Sequence, residues 1–569
     1  MFTMKLLIIF INLLFFMAFS TVSVLAVGEF NSKYNVTYNV QENGSTFVNQ
    51  EIILTNLFSN LFPTKSVVIL GSANIYNISA FDNIGKIFVK VSKNEGQTIV
   101  SVNFNEKIVG LGKQYKWFLK YETPDLVSIN GLIKEINIPK LELESDVNEY
   151  NLKINVPASF GEILYIKPVS QAKLEFTKDE LVNRPVSIAF GKYQIYNFNL
   201  KYNLVNNSVI PNDTEIALPP DTDTQRIYLN NLTPKPYNML IDQDGNWLAK
   251  YKLNPSEKIE VTATGSALIK SKPNITAPGS TFGITKLWLA EQNYWNTKDP
   301  AIKALANKYK TPKEIYDYVV GILKYDYERV KSIPVRYGSL KALANTQSAI
   351  CMEFTDLFIA IARAGGIPAR ENDGYAYTNN EKLKPLSLKK DILHSWPEFY
   401  DVSENVWRQI DPTWENTTGG VDYFNFLDLN HFVLVKHGAR SDYPYPAGAY
   451  KDKTGTSKDV EISFGNESNL SEFKKFNLSI IGPDKIFSGF NQNYILKIAN
   501  AGNVSLQNNS AYISIETPEK TIKQELKIKV IPPFGFMESN IIFKPSLSLS
   551  EDMINIKADY DSRQINKEV

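Results

Sequence analysis

The stretch "SAICMEFTDLFIAIARAGGIPAR", residues 348–370, holds the only cysteine of the 569-residue chain, Cys351. The apolar residues that follow recur at helical spacing and end at two glycines: Phe354, Leu357, Phe358, Ile361, then Gly365 and Gly366. This pattern predicts a helix that begins at or beside Cys351. At a helix start, unpaired backbone N–H groups favour a thiolate and can receive an oxyanion. A small buried hydrophobe is the alternative interpretation of a lone cysteine.

A second stretch, "DILHSWPEFYDVSENVWRQIDPTW" at 391–414, supplies a histidine and an aspartate. Its apolar residues and polar middle predict a β-hairpin. A turn symmetric about Val402–Ser403 would place His394 opposite Asp411, where a carboxylate can orient an imidazole that serves a thiol. A loop of odd length would shift this register by one residue. The alternatives are a histidine satisfied by packing and an ordinary Asp-Pro turn.

Two further helices precede Cys351 in the sequence. Asp299 and Pro300 begin one over "DPAIKALANKYK", and Thr311 with Glu314 forms a capping box for the next, "TPKEIYDYVVGILKYDY". Helices followed by antiparallel strands predict an α+β domain over about 280–440.

The order "C-M-E-F-T-D-L-F", "G-I-P-A-R", "G-Y", "H-S-W-P-E-F-Y" and "D-P-T-W" resembles the transglutaminase-like superfamily, most closely its microbial secreted members. The resemblance implies a papain-like core in which Cys351 is the nucleophile, His394 the general base and acid, and Asp411 the orienting residue. It implies no cofactor and no metal. Ala349 stands where members often have glycine, and Pro397 is unusual within its motif. Beside the Cys351 amide, Gln347 is a tentative second oxyanion donor, with Asn345 as another candidate.

The flanking sequence predicts further domains, mostly of strands. Alternating apolar residues with Asn-Gly and Asp-Gly turns predict two β-domains, at 28–145 and 146–270. A region rich in Pro, Gly, Ser and Lys predicts a linker at 441–470. Six short strands over 471–569 predict an immunoglobulin-like β-sandwich. The expected fold class is therefore multidomain, with β-domains on both sides of an α+β core.

The N-terminus and the charge balance bear on location and partners. Lys5, an apolar run and "VLA" before residue 26 predict an export signal over 1–26, either cleaved or kept as an anchor through 6–26. The formal net charge is +1, without a cluster of basic residues, so nucleic acid is not expected as a partner. Membrane attachment is expected only through the N-terminal segment.

Two functional hypotheses follow from these observations. The first is a secreted or cell-surface thiol protease, amidase or protein-glutamine acyltransferase, acting on amides of extracellular peptides, proteins or cell-wall material. Water or an amine would resolve its acyl-enzyme, and the sequence leaves that choice open. The second is an inactive structural or binding protein built on the same scaffold.

Overall fold

The computed structural model describes residues 29–71, 74–94, 97–138, 141, 146–168, 174–183, 185–273, 286–331, 335–378, 384–386, 393–450, 458–507, 509–547 and 552–569. The predicted export signal at 1–26 lies outside them. Within the part described, no helix is both long and apolar enough to cross a membrane.

The described residues form two compact units. The first takes its residues from Met1–Leu126, Leu141–Pro157 and Ser170–Asn183, and the second from Val127–Lys140, Ala158–Val169 and Arg184–Val569. Up to residue 190 the elements are β1 Phe30–Val40, β2 Thr46–Asn56, β3 Lys65–Leu70, β4 Tyr76–Asp82, β5 Lys86–Ile87, β6 Val89–Asn94, β7 Gln97–Asn103, β8 Gln114–Thr123, β9 Val127–Asn130, β10 Ile133–Ile138, β11 Val147–Asn155, β12 Ile163–Lys167, β13 Glu175–Thr177, α1 Lys178–Asn183 and β14 Val186–Phe190.

The first unit contains a seven-stranded sheet, in the order β13-β11-β1-β2-β8-β4-β5, and a three-stranded sheet, β3-β7-β6. The predicted Asn-Gly turn joins β1 to β2, and Gly44 has the positive φ of +85° that such a turn requires. The boundary expected at 145/146 does not separate two domains, because β11 pairs in parallel with β1. Local alternation predicts that a segment is a strand, whereas its pairing partner depends on contacts distant in sequence.

The second unit contains a four-stranded sheet, β12-β14-β10-β9, and then a two-sheet β-structure. Its strands are β15 Tyr193–Val205, β16 Asn212–Leu218, β17 Gln225–Thr233, β18 Asn238–Ile241, β19 Trp247–Leu253 and β20 Lys258–Lys270. One sheet has the order β17-β20-β15-β25 and the other β16-β19-β18, where β25 is Val460–Phe464. The interval 441–470, expected to be a linker, therefore contributes a strand, because Val460–Phe464 pairs with β15.

The α+β region follows the predicted pattern of helices and then antiparallel strands. Its elements are α2 Pro300–Lys308, α3 Pro312–Ile322, α4 Ser339–Ala344, α5 Cys351–Ala364, β21 Ala369–Ala376, β22 Leu393–Asp401, β23 Val406–Gln409, α6 Pro412–Thr417 and β24 His431–His437. The sheet order is β23-β22-β21-β24. Both predicted caps are present: Asp299 accepts from the Ala301 amide at 2.8 Å, and Thr311 and Glu314 form their capping box.

This region packs around α5, whose residues are almost all buried among α2, α3 and the sheet. Phe432 and Leu434 of β24 and Tyr375 of β21 share a second core with the strands β15–β20. The sheet that carries the candidate histidine is thus fixed within the second unit by helices and by a β-structure.

The C-terminal strands are β26 Phe476–Ile481, β27 Gln492–Asn500, β28 Asn509–Glu516, β29 Thr521–Ile528, β30 Phe536–Phe543, β31 Asn555–Tyr560 and β32 Arg563–Glu568. They form two sheets, β26-β27-β30 and β29-β28-β31-β32, with one shared apolar core. An immunoglobulin-like topology for this region stays a prediction.

Candidate active site

Cys351 is the first residue of α5, as the helical pattern predicts. The turn before it is organised by Glu353, whose fully buried carboxylate accepts from the Ile350 amide at 3.0 Å and from the Tyr337 amide at 2.8 Å. Arg329 completes the arrangement by donating to Glu353 at 2.8 Å and to the carbonyl of Ser348 at 2.6 Å. Because these bonds fix both sides of the helix start, the position of Cys351 is set by a buried ion pair.

His394 lies in β22, directly opposite Gly374 of β21. A Cβ atom added at Gly374 would lie 2.1 Å from the carbonyl oxygen of Phe432 and 2.7 Å from the Trp396 ring, so only glycine fits there. The imidazole of His394 stacks between Trp396 and Trp414, with ring centroids 5.9 and 5.1 Å away. The strand and the two indoles leave the ring one well-defined orientation.

Asp411 reaches His394 by a route that differs from the expected hairpin register. Tyr400 pairs with Trp407 and not with Asn405, because the loop contains four residues, 402–405. The strand β23 ends at Gln409, and Asp411 is the N-cap of α6, where it accepts from the amides of Thr413 at 2.9 Å and Trp414 at 3.1 Å. The expectation that His394 and Asp411 face each other on paired strands is therefore wrong.

The two side chains nevertheless meet. Nε2 of His394 lies 2.9 Å from Oδ2 of Asp411, and both side chains are fully buried. Burial alone would lower the pKa of His394, but the charge of Asp411, with a smaller contribution from Cys351, raises that pKa to about 9. Burial alone would raise the pKa of Asp411. The imidazoles of His394 and, to a smaller extent, His431 outweigh burial and hold the pKa of Asp411 below its usual range.

The other ring nitrogen of His394, Nδ1, is buried and has no nitrogen or oxygen partner within the described part of the chain. The thiol of Cys351 also raises the pKa of His394, after the larger effect of Asp411. The structure thus brings His394 and Asp411 into contact through Nε2, leaves Nδ1 without a hydrogen-bond partner among the described residues, and places Cys351 near enough to affect the imidazole.

Neither candidate for a side-chain oxyanion donor lies at the thiol. Gln347 is exposed and donates to the hydroxyl of Thr346 at 3.4 Å, and Asn345 is exposed as well. The hydroxyl of Tyr325, in contrast, is buried without a hydrogen-bond partner among the described groups. Burial, followed by the proximity of Cys351, raises the pKa of Tyr325. The sequence showed no signal for Tyr325 beyond its place in the "KYDY" segment.

A second histidine, His431, also contacts the aspartate. Its Nε2 lies 3.3 Å from Oδ2 of Asp411, and its Nδ1 lies 2.8 Å from Oδ1 of Asp428. Sequence reasoning did not assign a role to His431, although the Asp428-x-x-His431 spacing could have pointed to such a pair. His394, Asp411 and His431 offer three ligand atoms within 4.8 Å of one another, a set that suits a transition metal.

Comparison with known families bears on the helices and strands that carry these residues. Residues 296–412 match the model of the transglutaminase-like superfamily, and this segment includes Cys351, His394 and Asp411. The chain carries a transglutaminase-like core. The match spans 117 of the 569 residues. No curated protein matches the chain.

Solved structures similar to this chain include three that bear on the core. A "putative cysteine protease" from Cytophaga hutchinsonii is 17% identical, with 48% of this chain and 90% of that chain covered and a TM-score of 0.30. A "putative protease" from Parabacteroides distasonis is 10% identical, covering 67% and 66%, with a TM-score of 0.18. Red sea bream transglutaminase is 10% identical, covering 90% and 77%, with a TM-score of 0.14. At these scores the similarities carry no argument about activity.

The thiol of the transglutaminase-like core is inaccessible in this structure. Cys351 has no exposed surface, and His394 is 1% exposed. Ala349 and Ile350, which precede Cys351 in the chain, and Tyr325 are buried as well. Substrate access therefore requires movement that uncovers the sulfur.

A separate ionic cluster connects α5 to the four-stranded sheet. It lies on the face of the sheet opposite to the face that carries His394. Arg336 donates to Asp356 at 3.0 Å and to Glu371 at 2.9 Å, and Glu371 also accepts from Ser395 and from His437. Burial raises the pKa of Asp356 to about 7 although Arg336 opposes the rise, whereas for Glu371 the same arginine lowers the pKa, against burial, to about 2.

Glu398 lies on the His394 face of β22. Lys436 donates to it at 2.9 and 3.1 Å, and Arg370 pairs with it as well. These contacts suit a structural anchor.

The three histidines predict how stability changes with pH. For His394, His431 and His437, burial would lower the pKa and the neighbouring carboxylates raise it to about 9. Each ring binds its proton more tightly in the folded chain than in the unfolded chain, where the pKa is about 6.5. The resulting stabilisation is fully present below about pH 6.5 and is lost as the pH rises to about 9.

We therefore expect the melting temperature of the second unit to fall by several degrees between pH 7 and pH 9.5 at constant ionic strength. Differential scanning calorimetry measures it. The first unit contains no histidine, so its transition is the internal control. A midpoint for the second unit that stays constant over this range would contradict the assignment of protonated buried histidines.

Proposed function

We propose that the protein is an exported, cysteine-dependent acyl-transfer enzyme that acts on amides of extracellular peptides, proteins or cell-wall material. The observation that supports the proposal is the arrangement at His394: Nε2 lies 2.9 Å from Oδ2 of Asp411, Nδ1 is buried without a hydrogen-bond partner among the described residues, and Cys351 adds to the effect of Asp411 in raising the pKa of the ring. An imidazole held in this way can take a proton from a thiol and return it to a leaving group. Export rests on the N-terminal segment alone.

In the first half of the reaction, the thiolate of Cys351 forms a bond to the carbonyl carbon of an amide. The carbon–nitrogen bond then breaks, and the leaving nitrogen takes the proton from His394. Ammonia or an amine departs, and a thioester remains on Cys351. The negative charge on the carbonyl oxygen would be received by the amide of Cys351 at the helix start and by the unpartnered hydroxyl of Tyr325.

In the second half, water or a primary amine gives a proton to His394 and attacks the thioester. The carbon–sulfur bond breaks and the thiolate is restored beside a protonated imidazole. Water makes the protein a protease or amidase, and a lysine side chain makes it a protein-glutamine acyltransferase. The choice depends on how well water is excluded when substrate is bound.

The second candidate is an inactive cell-surface structural or binding protein on the same scaffold. The complete burial of Cys351 favours it. The buried, unpartnered Nδ1 of His394 argues for the enzyme. A buried polar atom without a partner destabilises the fold, and a catalytic role is one reason for a protein to keep it.

The test is mass spectrometry of a peptide library incubated with the protein, with and without added cadaverine. Cleaved or deamidated peptides would indicate hydrolysis, and cadaverine adducts on glutamine would indicate transamidation. The variant Cys351→Ala is the matched blank. Products that form equally with the variant, or the absence of any product together with an unreactive thiol, would favour the scaffold.

A further inference from the structure

The carboxylate of Asp411 is held by four donors. Oδ1 accepts from the amides of Thr413 and Trp414, at 2.9 and 3.1 Å. Oδ2 lies between two imidazoles, 2.9 Å from Nε2 of His394 and 3.3 Å from Nε2 of His431. A triad requires only the first of these imidazoles, so the second needs a separate explanation.

Both nitrogens of His431 face carboxylate oxygens, Asp411 on one side and Asp428 on the other. A neutral imidazole has one N–H and one lone pair, and the lone pair would then face a carboxylate. Both nitrogens must therefore carry protons, and His431 is an imidazolium. Asp428 is itself fixed, since it accepts from the Asn430 amide at 3.0 Å and from Lys384 at 3.1 Å.

The two imidazoles occupy one compartment lined by indoles. The ring of His431 lies 4.6 Å from that of Trp414 and 4.8 Å from that of Trp396, and the same two indoles flank His394. Aromatic faces attract a cation and restrict its ring plane. His431 is 3% exposed, so it cannot move without opening this compartment.

We propose that His431 is a positioning residue for the thiol chemistry, holding Oδ2 of Asp411 against His394 and balancing the charge of that carboxylate. This inference rests on the proposed function. Without a second cation, a thiolate, an imidazolium and Asp411 would leave the buried site with a net charge of −1. The imidazolium of His431 brings the sum over these four groups to zero, and Lys384 balances the charge of Asp428 on the other side of the ring. This balance favours the thiolate in a low-dielectric environment.

The charged and titratable groups around His431 come from several elements. They are Asp411 at the cap of α6, His394 on β22, Asp428 before β24, Lys384 and Glu135 beyond Asp428, and Tyr423 against Asp428. Cations and anions alternate along this chain of contacts. Removal of the charge on His431 breaks the alternation at the carboxylate that orients His394.

The test uses the rate of alkylation of Cys351 by iodoacetamide between pH 5.5 and 9, which requires no knowledge of the substrate. In His431→Gln the thiolate loses a compensating cation, so the pH profile should move to higher pH. A displacement of one pH unit lowers the rate at pH 6.5 by about tenfold.

His437→Gln is the matched control. His437 lies on the same strand and is equally buried, with both ring nitrogens on acceptors, but its partners are Glu371 and the carbonyl of Pro444. The pH profile of alkylation for His437→Gln should superimpose on that of the wild type. If His431→Gln lowers the alkylation rate without moving the pH profile, or if both variants move the profile equally, the effect is general destabilisation and the proposal is overturned.

The outcomes separate this inference from the proposed function. If His394→Ala leaves the wild-type profile unchanged, the proposed function fails first. If His394→Ala changes the profile and His431→Gln does not, only the positioning role is overturned. If His431→Gln does not fold, Asp428→Asn, which keeps the shape of the partner and removes its charge, should alter the ¹⁵N imidazole signal of His394, and an unchanged signal would overturn the proposal.

A metal ion held by His394, Asp411 and His431 is the competing explanation. Under the positioning role, dialysis against EDTA leaves the alkylation rate of the wild type unchanged. A rate that changes with EDTA and is reversed by Zn²⁺ would identify the cluster as a metal site and overturn the proposal.

Discussion

Cys351→Ala should lose all measurable turnover, by at least about 10⁴-fold, and should remain folded. The reaction proposed above forms a bond to the sulfur, and removal of a nucleophile leaves only what binding and oxyanion stabilisation supply. The side chain is fully buried in a packed environment, so a modest cost of about 1 kcal/mol in unfolding free energy is expected from the lost contacts.

The measurement combines the peptide-library assay with urea unfolding of both proteins. Cys351→Ser is the stricter companion, because it keeps the volume and replaces the sulfur with a poor nucleophile. Turnover by either variant above background would remove Cys351 from the mechanism. Destabilisation of Cys351→Ala by more than about 3 kcal/mol would mark the thiol as a packing residue of the core.

Asp411→Asn should lower activity by about 10³- to 10⁴-fold, less than the loss in Cys351→Ala, because it disturbs the orientation and charge of His394 and leaves the nucleophile in place. Asparagine is a good N-cap, so its carbonyl oxygen can still accept from the amides of Thr413 and Trp414. Its NH₂ group would face two imidazole N–H donors and cannot accept from either. His394 then loses the partner that fixes its protonated nitrogen.

Asp411→Ala provides the contrast for stability. It removes the cap, at about 0.5–2 kcal/mol, and leaves two buried imidazoles without their shared partner, at about 3–5 kcal/mol. We expect this variant to unfold or to lose the transition of the second unit, while Asp411→Asn keeps it. Steady-state rates and urea unfolding of the pair check this. An asparagine variant with activity near that of the wild type would show that the charge of Asp411 is not needed.

The elements that the sequence predicted well are those with local causes. The caps at Asp299 and Thr311 and the helix that begins at Cys351 depend on residues within one turn of each other. Periodicity and capping chemistry act over this range, so reading them from a sequence needs no knowledge of the fold.

The register of the hairpin shows where local reasoning fails. A four-residue loop displaced the pairing of β22 and β23 by two residues from the symmetric turn, so Tyr400 faces Trp407. Asp411 still reaches His394, because the Asp-Pro pair begins a helix directly after the strand. The contact between His394 and Asp411 was therefore predictable from the sequence, whereas the element that presents Asp411 was not.

Long-range contacts explain the remaining differences. The strand Val460–Phe464 looked like linker sequence because its neighbours are rich in glycine and lysine, and it is a strand because β15 offers an edge. His431 gave little local signal because its role depends on Asp411, twenty residues earlier in the chain. The burial of Cys351 likewise depends on the packing of Tyr325 and Ala349.

The activation of the thiol of Cys351 by His394 is the central claim, and the alkylation rate of Cys351 as a function of pH tests it most directly. Cys351 is the only cysteine, so iodoacetamide reports on one thiol. Burial slows the absolute rate, so the two proteins are compared by the shapes of their profiles and not by their absolute rates. In the wild type, the alkylation rate should stay high even at pH values well below 8. In His394→Ala, the rate should fall about tenfold for each pH unit below about pH 8.5, as it does for a free thiol. Superimposable profiles for the two proteins would contradict the claim and favour the scaffold.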